Sequence, residues 1–317
     1  MAKILIGSTN YSRYCREGLA LLLEAGCTVE ENTLGRPFSA QELAEKAADA
    51  DGVIAGVEHW DEAAFDAAPN LKVIVRFGTG YDTVDLKAAE KHGVQVANTP
   101  GLNASSVAEH VAALLLCQLR QIPQLNQSVR SGNWDRLVYR ELGDCTVGMI
   151  GFGAIGQQLA GKLSGFRPKL LAFDKFPNQA AADRLGVTFV SLEELLSQSD
   201  FITIHLPLTE ENFHLINNET LAQVKNTAYI INAARGALVD EKAVYQALTQ
   251  NRLAGYAADV HETEPVSQDN PLLQCSNFVA TPHLAGESVS SYRNTGLATA
   301  TGVLNVLEGR ALEHRLV

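Results

Sequence analysis

The sequence predicts an α/β protein made of two doubly wound domains, each built around a parallel sheet. Short β-branched runs alternate with Ala- and Leu-rich amphipathic stretches, and this alternation starts again after a long helical segment near residue 110. Strands that alternate with helices of this length pair in parallel and are joined by crossover helices. The length of 317 residues, 46% of them hydrophobic, is enough for about two domains with their own cores.

The first half of the chain carries the first series of strands and helices. Strands are expected at residues 3–8, 28–30, 52–55, 72–77 and 95–97, and helices at residues 12–25 and 39–48. The segment Asn98-Thr-Pro-Gly101 combines turn-forming residues and is a natural boundary. We therefore assign residues 1–99 to the first domain.

A long helix is expected from about residue 103 to residue 120, because Val107, Val111, Leu114 and Leu115 recur at helical spacing. The second series follows, with strands at residues 146–150, 169–173, 187–190, 202–206, 228–232 and 255–260 and helices at residues 154–163 and 178–185. A last helix, residues 288–307, is expected to return to the first domain. This gives a discontinuous domain of residues 1–99 and 287–317, and a second domain of residues 100–286.

Composition excludes several classes of partner. A formal net charge of −11 provides no basic field for a phosphate backbone, so nucleic acid is not expected. Apolar stretches fall short of the roughly 18 residues that a membrane span needs, and the N-terminal apolar run is too short for a signal peptide. The five cysteines form no C-x-x-C pair, which favours reduced thiols over disulfides or a metal site. We expect no metal and a cytoplasmic location.

A glycine-rich turn follows the strand at residues 146–150. It reads Gly151-Phe-Gly153-Ala154-Ile155-Gly156 and opens a helix. In this context the glycines permit a tight turn, a close approach to a pyrophosphate and close packing of helix on strand, while the helix N-terminus favours an anion. A sharp turn without a ligand is the alternative for an isolated motif. Here the preceding strand, the following helix and an acidic residue after the next strand together favour a Rossmann dinucleotide-binding domain.

Asp174 is the acid that completes this pattern, about twenty residues beyond the turn and at the end of the next strand. Its carboxylate is expected to accept hydrogen bonds from the adenosine ribose and to repel a 2′-phosphate. The neighbouring Lys175 weakens that repulsion. The sequence therefore predicts NAD as the cofactor in preference to NADP.

Residues able to perform acid–base chemistry follow later strands. The segments are Asn232 to Glu241, Ala258 to Pro265, Thr281 to Gly286 and, in the first half, Arg76 to Asp82. Ligands of open α/β sheets lie beyond the carboxyl ends of the strands, so Arg235, Asp259 and His283 are expected to converge there. Arg235 offers a planar pair of donors for a carboxylate. His283 can donate a proton near neutral pH, and Glu264 would stabilise its imidazolium and fix its tautomer.

With these segments in the same order, the sequence resembles the D-isomer-specific 2-hydroxyacid dehydrogenase family over nearly its whole length, and most closely the phosphoglycerate dehydrogenase branch. The motifs that carry the resemblance are 76–85, 98–101, 106–109, 151–156, 234–236, 259–265 and Pro282-His283. The resemblance implies a Rossmann domain inserted into a flavodoxin-like substrate domain. It also implies an NAD-dependent oxidoreductase that acts on a small D-2-hydroxy or 2-oxo acid, with Arg235, Glu264 and His283 as catalytic residues.

The resemblance assigns further residues to cofactor and substrate. Cofactor contacts fall on the glycine turn and on Asp174, His205, Pro207, Thr209, Ala233 and Asp259, the last toward the nicotinamide amide. Substrate contacts fall on Arg76, Gly78, Thr79, Arg235 and His283. The stretch Gln118 to Trp134 is expected to be helical. It lies within the region, residues 101–140, through which the resemblance implies a homodimer.

The substrate and the class of function stay open at this point. An Arg that commonly faces the phosphate in phosphoglycerate dehydrogenases has no counterpart in Ala55-Gly-Val-Glu58-His59, where Glu58 would repel a phosphate. Arg76 and Arg136 could still serve a phosphate, so 3-phosphoglycerate competes with hydroxypyruvate or glyoxylate reduction. An NAD-sensing scaffold or corepressor is the alternative from another class. Formate or phosphite oxidation is disfavoured, because formate enzymes that resemble this site carry Gln in place of Glu264.

Overall fold

A computed structural model describes all 317 residues as two compact units. The first unit is Met1–Asn103 with Glu287–Val317, and the second is Ala104–Gly286. Each unit has one parallel sheet covered by helices, so the predicted α/β class with two doubly wound sheets is confirmed. No helix combines the length and apolar character that a membrane crossing requires.

The sheet of the first unit has five parallel strands in the order β2-β1-β3-β4-β5. The strands are β1 Lys3–Ile6, β2 Thr28–Glu31, β3 Gly52–Ala55, β4 Val73–Arg76 and β5 Gln95–Ala97. The helices are α1 Tyr11–Tyr14, α2 Arg16–Glu24, α3 Ala40–Ala47, α4 Glu62–Asp66, α5 Leu86–Lys91 and, from the end of the chain, α13 Val289–Leu307. Separate apolar clusters cover the two faces, which is why β3 is buried along its whole length.

The sheet of the second unit has seven parallel strands in the order β12-β11-β10-β9-β6-β7-β8. The strands are β6 Thr146–Ile150, β7 Lys169–Phe173, β8 Val187–Phe189, β9 Phe201–Ile204, β10 Tyr229–Asn232, β11 Gly255–Ala258 and β12 Phe278–Ala280. The helices are α6 Ala104–Arg120, α7 Ile122–Arg130, α8 Ala154–Leu163, α9 Gln179–Leu185, α10 Leu192–Gln198, α11 Asn218–Leu221 and α12 Glu241–Thr249. Because every strand is parallel, all seven carboxyl ends lie at one edge of this sheet.

Two predicted helices differ in the structure. The stretch 12–25 is two helices separated at Cys15, whose ψ of 42° is not helical. The predicted helix from Gln118 to Trp134 is wrong in two places. Gln121 adopts a left-handed conformation with φ of 47° between α6 and α7, and α7 ends at Arg130, before Gly132 with φ of 82°. Left-handed residues break the hydrogen-bond ladder of a right-handed helix, so Trp134 lies outside any helix.

Candidate active site

The glycine turn connects β6 to the N-terminus of α8. Gly151 has φ of +98°, and a Cβ on it would lie 2.6 Å from the carbonyl oxygen of His205. A Cβ on Gly153 would meet nothing within 4 Å, so the space beside this backbone is open. Gly153 is the N-cap of α8 and no side chain caps the helix. The uncapped N–H groups and the open space beside them fit the pyrophosphate of a dinucleotide.

Asp174 follows β7 at the same edge of the sheet. Its Oδ2 accepts a hydrogen bond from the backbone N–H of Phe152 at 2.7 Å, and its Oδ1 accepts from the N–H of Phe176 at 2.8 Å. The carboxylate is thus fixed beside the glycine turn. Lys175 forms an exposed ion pair with Glu211 at 2.5 Å. The carboxylate of Glu211 thus balances the positive charge of the residue next to Asp174.

The segment that follows β9 packs against this turn. The His205 N–H donates to the Ile150 carbonyl at 2.7 Å, and its Nε2 lies 3.0 Å from the Thr203 hydroxyl. Burial lowers the pKa of His205 to about 4, so its ring is neutral at physiological pH. Pro207 and Thr209 are exposed residues of the loop beyond it, and the side chain of Asn212 closes that loop on the Thr209 N–H at 2.7 Å.

The turn after β10 carries Ala233 and Arg235. The buried Asn232 shapes it: its amide donates to the Arg235 carbonyl at 2.8 Å and its Oδ1 accepts from the Ala234 N–H at 3.0 Å. Arg235 Nη1 donates to the Ala234 carbonyl at 2.7 Å. Arg235 is partly buried and lies at the edge of the sheet that also carries the glycine turn.

Asp259 follows β11 and is only 1% exposed. Its side chain organises the loop after β12: Oδ1 accepts from the Thr281 hydroxyl at 2.6 Å and the Leu284 N–H at 3.0 Å, and Oδ2 accepts from the Ala285 N–H at 2.8 Å. These bonds make Asp259 the residue that holds the His283 loop. Contact with a nicotinamide amide stays a prediction.

Glu264, on the loop after β11, forms a close pair with His283 on the loop after β12. His283 Nδ1 lies 2.7 Å from Glu264 Oε2, and the His283 side chain is 49% exposed. Although burial opposes ionisation, hydrogen bonds from His283 and the His261 N–H leave the pKa of Glu264 below its ordinary value. An ionised carboxylate only accepts hydrogen bonds, so it places the proton on Nδ1 and leaves Nε2 for other partners.

Two histidines missed at the sequence level support this loop. His110 on α6 has its Nε2 3.0 Å from the Thr281 hydroxyl and 3.6 Å from Asp259 Oδ1. His261 donates its backbone N–H to Glu264 Oε1 at 2.9 Å. The helical spacing around His110 predicts its helix but gives no signal of a contact with a residue 171 positions away.

The predicted substrate residues of the first unit lie after β4. Arg76 Nη1 donates to the Phe77 carbonyl at 2.6 Å. The Gly78 N–H donates to the Thr99 hydroxyl at 2.9 Å and to the Arg76 carbonyl, so its hydrogen bonds lie within the unit. The Asn98 side chain fixes Thr79 by donating to its carbonyl oxygen at 2.7 Å. Asn98 and Thr99 therefore brace this loop, a role that the local sequence pattern does not indicate.

Glu58, expected to repel a phosphate, is 2% exposed in the same unit. Its Oε1 accepts from the Gly56 N–H at 2.9 Å, and its Oε2 has no hydrogen-bond partner. A Cβ on Gly7 would lie 2.0 Å from Oε1, so Gly7 leaves room for the carboxyl group. Burial raises the pKa of Glu58, although the Gly56 N–H and the charge of Arg76 oppose this.

Comparisons with known proteins agree with this geometry. The sequence model of the NAD-binding domain of D-isomer-specific 2-hydroxyacid dehydrogenases matches residues 112–285. The chain is 40% identical to a D-3-phosphoglycerate dehydrogenase of Archaeoglobus fulgidus over 78% of its own length and 48% of that protein. It is 36% identical to a glyoxylate reductase of Thermofilum pendens over 92% of its length and 88% of that protein. It thus spans about half of the first relative and most of the second.

The same agreement extends to solved structures. The apo-structure of D-lactate dehydrogenase from Escherichia coli superposes with a TM-score of 0.87 at 29% identity, and the match covers both chains completely. Fold, glycine turn and matched domain therefore point to one family.

Proposed function

The chain belongs to the D-isomer-specific 2-hydroxyacid dehydrogenase family, and from this premise we propose that it is an NAD-dependent oxidoreductase acting on a small D-2-hydroxy or 2-oxo acid. The observation that carries the proposal is the 2.7 Å pair of His283 and Glu264, at the strand edge that also bears the glycine turn. The experiment is a panel of 2-oxo acids assayed with NADH, in which oxidation of NADH by at least one acid is expected.

The cofactor residues proposed are the turn 151–156, Asp174, the loop with His205, Pro207 and Thr209, and the later residues Ala233 and Asp259. NAD, when bound, accepts or supplies the hydride. The residues of the chain bind and orient it: the first turn of α8 provides N–H groups and the positive end of the helix dipole for the pyrophosphate. Asp174 is held in place by two backbone N–H groups and would repel a 2′-phosphate, which favours NAD over NADP.

His283 is proposed as the general acid and base. Its Nδ1 is held by Glu264, so Nε2 is the atom that can donate a proton to the forming alkoxide during reduction and accept it during oxidation. Glu264 favours the imidazolium. Arg235 is proposed to bind the substrate carboxylate through its planar pair of donors and to polarise the carbonyl.

For the substrate, two candidates compete. The relative from Archaeoglobus fulgidus is named D-3-phosphoglycerate dehydrogenase and that from Thermofilum pendens glyoxylate reductase. In the first unit we propose substrate contacts at Arg76 and at the loop of Gly78 and Thr79. Because the Gly78 N–H is already paired, the contact falls on Thr79.

The buried Glu58 is the observation that favours the smaller, unphosphorylated acid. The charge of Arg76 acts on Glu58, and the ionised form of this carboxyl group offsets the positive field that a phosphate would require. We therefore place hydroxypyruvate or glyoxylate ahead of 3-phosphoglycerate. The panel should contain phosphohydroxypyruvate beside hydroxypyruvate, because the ratio of their kcat/KM values decides between the candidates.

A scaffold or corepressor role has no supporting observation, and the same panel tests it. A scaffold would bind NADH and show negligible turnover with every acid. The paired His283 and Glu264 favour the enzyme, since a protein that only senses NAD has no need of a proton donor.

We also propose a homodimer formed through residues 101–140 and a cytoplasmic location. Large apolar side chains are exposed within that region, with Trp134 80% and Val138 102% exposed, and solvent-exposed apolar side chains grouped together are typical of interfaces. The five cysteines form no disulfide, as a reducing compartment requires. Light scattering of the purified protein and of a Trp134→Ser variant tests the dimer.

A further inference from the structure

His261 is a buried histidine that lies against both halves of the pair formed by Glu264 and His283. Its side chain is 4% exposed and its ring meets that of Phe278 edge on, with 6.3 Å between centroids. Its Nε2 lies 3.3 Å from the carbonyl oxygen of Thr281, two residues before His283. Its backbone N–H holds Glu264 Oε1 at 2.9 Å. One residue thus contacts the segment of each partner.

A carboxylate faces the other nitrogen of this ring. His261 Nδ1 is 3.7 Å from Glu241 Oε1, beyond hydrogen-bond distance, and it has no hydrogen-bond partner although it is buried. Glu241 is itself fixed, because it accepts from the Glu262 N–H at 3.1 Å and from the Asn270 amide at 2.7 Å. A fixed carboxylate beside a buried imidazole stabilises the protonated ring more than the neutral ring.

Several other titratable groups face this region. Glu262 pairs with His214 at 2.7 Å, Asp240 caps α12 on the Ala243 N–H, and Asp259 is bonded to the loop of His283. The further groups are Tyr256, on which the charge of Glu241 acts, and His110, 3.6 Å from Asp259. Arg235 precedes Gly236, on which a Cβ would lie 2.0 Å from the His261 carbonyl. Burial opposes protonation of His261, but Glu241, the Thr281 carbonyl and the charge of Glu264 together raise the pKa of His261 above its ordinary value. The positive charge of a protonated His261 lies close enough to Glu264 for the two charges to interact.

We propose, on the basis of the proposed function, that His261 is a positioning residue of the reaction. It holds Glu264 against His283, and its charge, maintained by Glu241, limits how strongly Glu264 stabilises the protonated form of His283. The pH range of the reaction would then be set by a chain of three groups, Glu241, His261 and Glu264, and not by Glu264 alone.

A purely structural role is the competing explanation. A ring that only fills space beside Phe278 can be replaced by another ring of similar size with no effect on the proton chemistry at His283. The test therefore needs one variant that keeps an aromatic ring, His261→Phe, and one that keeps His261 and removes the charge opposite it, Glu241→Gln. The Gln side chain still offers an oxygen to Asn270.

The measurement is the titration of the histidine side chains of the full-length protein by two-dimensional proton–carbon NMR, with the His283 signal identified from its absence in His283→Asn. His261→Phe is expected to move the titration midpoint of His283 upward by about half a pH unit, since it removes a positive charge close to Glu264. Glu241→Gln is expected to move it in the same direction but by less, because the variant removes the carboxylate that keeps His261 protonated and, with it, one negative charge. The matched control is His214→Gln, which removes an imidazole paired with Glu262 and should leave the midpoint in place.

The reductive kcat/KM, measured against pH with NADH and the best acid of the panel, should show the same upward movement of its inflection. An unchanged His283 midpoint in both variants, or an equal movement in His214→Gln, overturns the inference. Absence of turnover in the unmodified protein would count against the proposed function instead, and the NMR titration would still decide the role of His261.

Discussion

The backbone N–H of His283 donates to the carbonyl oxygen of Asp259 at 2.8 Å. The same aspartate holds the loop of His283 with its side chain, through the N–H groups of Leu284 and Ala285. His283 has a left-handed backbone with φ of 53°, a conformation that non-glycine residues adopt only where the surrounding structure supports it. Asp259 supplies that support, so it fixes the orientation of the proposed acid.

Replacement of Asp174 should change cofactor choice. Asp174→Ala is expected to weaken NAD binding and to narrow the preference for NAD over NADP, because it removes both the proposed acceptor for the ribose and the charge proposed to repel a 2′-phosphate. Titration of each nucleotide by intrinsic fluorescence measures this. Asp183→Ala, which removes an exposed carboxylate on α9 in the same unit, is the control. Equal use of both cofactors by the unmodified protein would refute the assignment.

Arg235→Lys should reduce kcat/KM even though the charge is kept. An ammonium group cannot make the planar two-pronged contact, and loss of one charge-assisted hydrogen bond of about 1.5–3 kcal/mol corresponds to roughly a 10- to 150-fold loss of rate. NADH affinity should change little. Arg252→Lys, in the segment between α12 and β11, serves as control. Near-normal kcat/KM in Arg235→Lys would remove this residue from the substrate site.

Glu58→Gln should alter the discrimination against a phosphorylated acid. Burial raises the pKa of Glu58, so its carboxyl group becomes negatively charged only as pH rises. The preference for hydroxypyruvate over phosphohydroxypyruvate should therefore increase with pH. In the Gln variant this increase should be absent. The second ionisation of the phosphate occurs with both proteins, so the difference between their profiles isolates Glu58. Identical profiles would contradict this role.

Asp200 should make the second unit sensitive to acid. It is 7% exposed and contacts Arg140 and Lys225 at 3.1 Å and the Thr146 N–H at 2.8 Å. Although burial opposes ionisation, these groups lower its pKa. A pKa that is lower in the folded state stabilises the protein above the unfolded value of about 3.9, and this contribution disappears as pH falls through the folded value.

Asp200→Asn is therefore expected to lower the free energy of unfolding by roughly 2 kcal/mol at pH 7. The difference from the parent should shrink below about pH 4, where the parent also loses its charge. Urea unfolding followed by circular dichroism at several pH values measures this, with Asp183→Asn as the exposed control. A difference that stays constant from pH 7 to pH 3 would argue against the ion pairs as its source.

The sequence predicts those features that depend on local spacing. The glycine turn, Asp174 and the order of strands and helices follow from residues close together in the chain, and the structure confirms the sheets that they form. The close approach of Glu264 and His283 follows from the resemblance, since no local pattern joins segments 19 residues apart. Features that depend on contacts between distant segments are not predicted. Examples are His110 against Thr281 and the packing of α13 on α2.

Some errors have local physical causes. The break at Gln121 was not predicted because Gln is an ordinary helix former, and only its positive φ separates α6 from α7. The burial of Glu58 is a further feature that its own segment does not predict. Its burial and the raised pKa depend on the space provided by Gly7, which lies on a different strand.

The role of His283 is the central claim, and His283→Asn tests it most directly. Asn keeps a polar side chain but cannot exchange a proton, so reductive and oxidative kcat/KM should both fall by about 10²- to 10⁴-fold, the usual contribution of general acid–base catalysis. NADH affinity, measured by fluorescence titration, should stay nearly unchanged. A variant that binds NADH and retains a rate within about tenfold of the parent would show that His283 is not the acid and base of the proposed reaction.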